Sequence, residues 1–308
     1  MPEHFANKYK KSYLINTQIA RDLTGFSVGD RLPTFQEFTE KHASSRGIVQ
    51  KALEGLQASG AIGLEKRGKM GSYIGVIDRK LLFRLGGLES VTATMPSPVT
   101  REFAGLATGI CDAMQRCPAP FNFAFIHSAG IRGAALSRMT YDFAVTSHSA
   151  AVKLALQDPD LEMIMLLEGS IYAPPFVLYG ARPGVRSVFS GAVFGVDPNS
   201  PDQFFLTQRL CRGKKARILE RPYITCRALF LAREIDFLVF RDGALPSDSR
   251  FEKIPLPPGK IREFSTPAIL INKKNYHIGD ILKSLLIHPV IAEGQAAVLE
   301  GRREVQYY

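Results

Sequence analysis

The stretch Ser44-Ser45-Arg46-Gly47-Ile48-Val49-Gln50-Lys51-Ala52-Leu53-Glu54-Gly55-Leu56-Gln57-Ala58-Ser59-Gly60 decides how the chain is read. Ile48, Val49, Ala52, Leu53 and Leu56 recur with the period of a helix that buries one face. Ser44 or Ser45 is placed to cap its start and Gly60 to stop it. Arg46, Gln50 and Lys51 are left on the outward face. Two short apolar segments follow, Ala61–Leu64 and Ser72–Ile77, joined by the basic turn Glu65-Lys66-Arg67-Gly68-Lys69-Met70-Gly71.

Upstream, Ser12–Leu23 places Tyr13, Ile15, Ile19, Ala20 and Leu23 at helical spacing, with Gly25 and Gly29 as stop signals. Thr34 and Glu37 have the spacing of a capping box for a second helix, whose apolar positions are Phe35 and Phe38. Three helices and a basic hairpin make the outline of a winged helix-turn-helix over residues 1–77. An ordinary surface helix would show the same apolar stripe, so the combination carries the reading. In such a head the third helix enters the major groove of double-stranded DNA. Arg46 suits a bidentate pair with guanine, and Gln50 suits adenine. Lys66, Arg67 and Lys69 would neutralise phosphates beside the wing. Thr34, Gln36, Ser44, Ser45 and Lys51 complete the expected DNA-facing set. Gly68 and Gly71 let the wing turn tightly and approach the duplex.

Charge agrees with that partner. The 308 residues carry a formal net charge of +10. Residues 1–80 hold 13 Lys/Arg against 8 Asp/Glu, so about a quarter of the chain carries half the excess. The length implies two or three domains. Cys111, Cys117, Cys211 and Cys226 are widely spaced without a CxxC pair, which points to a reducing compartment and to no metal or cofactor. The N-terminus lacks a signal-peptide pattern, and no apolar run has the length to cross a bilayer. The expected location is the cytoplasm, with no membrane partner.

The head residues Arg31-Leu32-Pro33, Ser45-Arg46, Ala52-Leu53, Leu56, Ser59-Gly60-Ala61-Ile62, Gly68 and Gly71-Ser72-Tyr73 resemble those of GntR-family bacterial transcription regulators. Gln36 and Gln50 stand where that family usually has arginine, which puts the family's usual operator sequence in doubt. A more specific resemblance is to the YhfZ family. It is carried by Ser59-Gly60-Ala61-Ile62, Glu65, Arg67-Gly68, Gly71-Ser72-Tyr73, Met95-Pro96, Pro98, Arg101, Gly105-Leu106-Ala107 and Gly109. The resemblance implies a GntR-like head joined to a bilobal periplasmic-binding-protein-like (type II) domain. It covers most of the chain and is faint over 180–260.

Pattern alone reads the rest as α/β. Lys80–Leu85 suggests a short helix in a linker over 78–89, and an effector domain follows over 90–308. Expected strands are Ser90–Met95, Phe121–Ile126, Tyr141–Val145 and Glu162–Leu167, alternating with helices in a mainly parallel sheet. A long crossing strand is expected over Tyr172–Tyr179, a loop over Pro246–Glu263, and a helix over Tyr276–Leu299 interrupted at Pro289. The resemblance supplies the hinge, with one lobe over about 90–175 and 265–308 and the other over about 180–262.

Ligands of open α/β sheets bind beyond the carboxyl ends of the strands. Those ends point to Pro98, Arg101, Ser128, Arg132, Ser147, Asp197 and Arg227 as contacts for a small anionic effector. Helix N-termini and a bidentate arginine suit a carboxylate or phosphate. No GxSxG, GxGxxG, Walker or HExxH element occurs, so no enzyme is expected. The expected molecule is a homodimeric transcription regulator. The alternative is a ligand-binding module whose head contacts protein.

Overall fold

The computed structural model describes residues 3–246, 250–256 and 261–307. They fall into two compact units: residues up to Val91 with 116–121, and 92–115 with 122–307.

The first unit contains α1 (Glu3–Leu23), α2 (Phe35–Lys41), α3 (Arg46–Ala58), the strands β1 (Ile62–Lys66) and β2 (Ser72–Ile77), and α4 (Arg79–Leu85). Its core takes most of the set picked out by helical spacing, but Tyr13 and Phe35 are exposed and Ile48 is only partly buried, because each lies at the margin of its helix's apolar stripe. Ile15, Ile19, Ala20 and Leu23 of α1 meet Val49, Ala52, Leu53 and Leu56 of α3, with Phe38 and Ile74 closing the cluster. The capping box forms, with the Thr34 hydroxyl accepting from the Glu37 N–H and the Glu37 carboxylate accepting from the Thr34 N–H at 2.6 Å. Two N–H groups that the first turn leaves unpaired are thereby satisfied. The buried Asp22 carboxylate of α1 takes Lys41 and His42, each at 2.9 Å, and so holds the end of α2. β1 and β2 form an antiparallel hairpin, and Arg31 bridges to Tyr73 at its edge. Helix α4 lies in the segment expected as linker. Asp78 caps it, Leu82 joins the head core, and Arg21 donates to the Gly86 carbonyl.

The second unit has two lobes. Lobe 1 contains β3 (Val91–Met95), α5 (Arg101–Met114), β4 (Phe121–Phe125), α6 (Ala129–Ser137), β5 (Phe143–Ser147), α7 (His148–Gln157) and β6 (Leu161–Leu166). The chain crosses to lobe 2 for β7 (Phe176–Gly180), β8 (Val193–Val196), α8 (Pro201–Cys211), β9 (Arg217–Glu220), α9 (Tyr223–Leu231), β10 (Phe237–Arg241), β11 (Glu252–Pro255) and α10 (Ile261–Ser265). It returns to lobe 1 as β12 (Pro267–Asn272), α11 (Tyr276–Leu285) and α12 (His288–Leu299). The strand orders are β4-β3-β5-β12-β6 and β11-β7-β10-β8-β9.

Both sheets are mixed, not mainly parallel. β12 runs antiparallel to β5 and β6, and β7 runs antiparallel to β10 and β11. Each is a strand entered from the crossing connection, so it runs against the strands beside it. The expected strand over 172–179 begins only at Phe176, because Pro174 and Pro175 have no N–H for a ladder. The expected loop over 246–263 contains β11 and part of α10; Pro255 is tolerated because β11 is an edge strand. The C-terminal helix breaks as expected near Pro289, which sits in the first turn of α12, with a 60° bend between the two pieces. No single helix is long and apolar enough to cross a membrane.

Helices α5 and α12 meet through glycine. A Cβ on Gly109 would lie 2.2 Å from the Ile291 carbonyl oxygen, and one on Gly294 would lie 2.8 Å from the Gly109 Cα. Gln295, almost fully buried, then donates to the carbonyls of Glu102 and Ile171 and accepts from the Ile171 N–H. This locks the start of the crossing connection to the helix pair.

Candidate functional site

The head presents the expected DNA-facing residues on one unit. Thr34, Gln36, Ser45, Arg46, Gln50, Lys51, Lys66, Arg67 and Lys69 are exposed. Ser44 is half-buried, and its hydroxyl oxygen is buried without a hydrogen-bond partner. Ser45 holds the N-cap position of α3 but makes no side-chain capping bond, which leaves its hydroxyl for another acceptor or donor. The Arg46 guanidinium lies over the Phe35 ring, 5.3 Å from its centroid. Gln36 donates to Glu40 and Gln50 to Glu54, each at 2.9 Å. Both glutamines are thus engaged by a carboxylate one turn on. Gly68 and Gly71 have φ of 57° and 94°, the left-handed values that the wing tip demands. Arg67 is held by Glu65 at 2.9 Å and lies over Tyr73.

The second unit encloses a cavity of about 560 Å³ between its lobes, within the range of small-molecule sites. Of the sequence-predicted contacts, Ser128, Arg132, Ser147 and Arg227 line it. Pro98 does not, although Pro96, Ser97 and Val99 beside it do. Asp197 lies behind the wall, buried, accepting from the Ser128 hydroxyl and from the N–H groups of Asn199 and Tyr223. Arg101 is elsewhere: its guanidinium donates to the Val298 carbonyl at 2.7 Å, tying α5 to the end of α12. Its position just after a strand and a proline turn suggested a clamp, but the first turn of α5 points it at the helix end.

Arg132 projects from α6 and is 1% exposed. It donates to the Ile126 carbonyl at 2.6 Å, to the His127 carbonyl, to the Tyr172 hydroxyl at 3.0 Å and to the Thr146 hydroxyl at 3.3 Å. Its Nε is buried without a partner. From lobe 2, Arg241 donates to the carbonyls of Pro174 and Phe264, each at 3.0 Å, and so grips both crossing connections. It also covers the Phe176 ring at 3.7 Å and stands 3.7 Å from Asp202. Asp202, in the first turn of α8, accepts from the Ser147 hydroxyl of lobe 1 at 2.5 Å. Gly130 of lobe 1 donates to the Asn199 carbonyl of lobe 2 at 2.8 Å.

Burial pushes the Asp202 carboxyl up, opposed first by Arg241 and then by the Ser147 hydroxyl. Burial pushes Arg132 and Arg241 down from the usual guanidinium value. Tyr172 is pushed up by burial against the pull of Arg132 and Arg241, so it is a neutral donor and acceptor. Tyr223, stacked on Phe240 at 4.1 Å, also lines the cavity. Asp202 and Arg241 lie in strand-end loops, 197–202 and 241–243, where the sequence places a ligand, though neither is named there as a contact, and Tyr172 and Tyr223 were not singled out. The available signal was position, since Arg241 ends a strand and Asp202 opens a helix after one. Among the described residues, no group of three or more His, Cys, Asp or Glu is placed to hold a metal ion.

Comparison with known proteins follows the same division. A helix-turn-helix domain model matches residues 27–74, and a model of the YhfZ C-terminal domain matches residues 78–307. The chain is 29% identical over 304 residues to the protein YhfZ of Escherichia coli (strain K12), covering 97% of this chain and 98% of that one. The crystal structure of YhfZ from Shigella flexneri superposes with a TM-score of 0.61 at 22% identity, over 74% of this chain and 97% of that chain. The periplasmic aliphatic sulphonate binding protein SsuA from Escherichia coli superposes at 0.52 with 15% identity, over 70% of this chain and 71% of that chain. At these identities the two structures speak to fold: the second unit is periplasmic-binding-protein-like.

Proposed function

This chain belongs to the YhfZ family, and from that premise we propose that it is a bacterial transcription regulator. Its winged head binds operator DNA, and its bilobal domain senses a small anionic molecule. The observation that carries the effector half is the cavity lined by two buried guanidiniums and one carboxylate, drawn from both lobes. An anion there would draw on Arg132 of lobe 1 and Arg241 of lobe 2 together. Because Arg241 also holds the two crossing connections, ligand occupancy would be felt at the hinge. Differential affinity for open and closed lobes would then set the geometry of the heads in a homodimer on a two-fold-related operator.

The test is a gel-shift titration of the full chain on DNA upstream of its own locus, across a salt series. Sequence-preferring binding that weakens steeply with salt supports the reading. Absence of binding at low salt would sink the DNA half. It would favour a head that contacts protein, a reading to which the carboxylates of Glu40 and Glu54 beside Gln36 and Gln50 lend weight.

A further inference from the structure

We propose that the cleft takes a ligand with one buried negative charge and no ammonium group: a monocarboxylate or monosulfonate on an apolar body. This deepens the effector-cleft reading above and rests on it.

The buried charged side chains lining the cavity are Arg132, Arg241 and Asp202; Tyr172 is neutral, and the buried Asp197 stands behind the wall against the Ser128 hydroxyl. Arg227 also lines it but is exposed, so water screens its charge. Every hydrogen bond from Arg132 goes to a neutral acceptor, two carbonyls and two hydroxyls. Arg241 also bonds neutral carbonyls and shares the one carboxylate at 3.7 Å. Asp202 accepts from the Ser147 hydroxyl and stands as an ion pair 3.7 Å from the Arg241 guanidinium, the roles of the ionised form. The buried cluster therefore holds two cations against one anion. An uncompensated buried cation is costly, and an added anion relieves that cost. Two buried polar atoms of the cluster have no hydrogen-bond partner, the Arg132 Nε, a donor, and the Asp202 Oδ1, an acceptor.

One negative charge balances the cluster. A dianion would leave the opposite surplus in the same low-dielectric space. A zwitterion would leave the original imbalance in place, even with its ammonium on the unpartnered Asp202 Oδ1. The remaining wall sets the body. Val99, Phe103, Phe176, Ile224, Phe240 and Leu245 offer carbon surface for a hydrocarbon or aryl body, beside the polar Ser97, His127 and Ser200.

The test is calorimetry on the full-length protein with probes of matched carbon length: hexanoate, hexane-1-sulfonate, adipate and norleucine. The expected order places both monoanions about tenfold or more ahead of adipate and norleucine. In Asp202→Asn the cluster loses its one anion, and adipate should gain on hexanoate by about tenfold. If that variant does not fold, the ranking on the unaltered protein still decides. Adipate or norleucine binding as tightly as hexanoate overturns the proposal. Binding by none of the probes at about 10 mM, a free energy near the weak limit of measurable affinity, overturns the effector-cleft reading together with it.

Discussion

Arg46 shows what a single side chain can contribute here. Stacking on Phe35 restricts its rotamers before any partner arrives, which reduces the ordering cost of a bidentate contact. Arg46→Ala should lose about 1–3 kcal/mol on the preferred operator and flatten discrimination between sequences, read by competition gel shift. Lys69→Ala should instead weaken all sequences alike and lower the salt slope by about one. Gln36 and Gln50 were legible as departures, but their pairing with Glu40 and Glu54 was not. At the capping box, the Thr34 backbone N–H, and then its hydroxyl, hold the Glu37 carboxyl below its usual range. The sign follows: the ionised form is favoured in the folded head. That stability is present above the ordinary carboxylate range and is lost as pH falls through the lowered folded value. Glu37→Gln should flatten the acid limb of head unfolding, followed by circular dichroism against pH.

Among the elements, the α5–α12 pair is the most tightly constrained. Gly109 leaves no room for a methyl group against the Ile291 backbone, and backbone cannot turn aside as a flexible side chain can. Gly109→Ala should therefore destabilise the second domain by about 1–3 kcal/mol, read as a lower urea midpoint with unchanged slope. Helices and wing were largely legible, since apolar periodicity and caps are local. β11 was not, because Glu252 and Lys253 beside Pro255 carry loop composition, and only pairing along the outer edge of β7 makes a strand of them. Arg101 was misplaced for a related reason: the loop was read correctly, but the direction of a side chain from the first turn of α5 depends on where α12 ends.

For the whole molecule, Arg241 is, on the proposed effector reading, the link between ligand and hinge, since it bonds the carbonyls of both crossing connections. Ligand at about a hundred times its Kd should stabilise the second domain by about 2.7 kcal/mol, seen as a raised melting temperature. Hydrogen exchange should slow at the crossing connections near Pro174 and Phe264, since their carbonyls are the Arg241 acceptors. No slowing there on saturation would separate ligand binding from hinge control. The sequence by itself determined the head, its cationic wing and the α/β character of the remainder, because caps, glycine turns and apolar periods are properties of neighbouring residues; the family came from the resemblance of its motifs. Only the tertiary structure decided the mixed sheets, and the meeting of Arg132, Tyr172, Asp202 and Arg241 in one cavity. Those residues are far apart in the chain, and their shared surplus of positive charge exists only once two lobes exclude water around them.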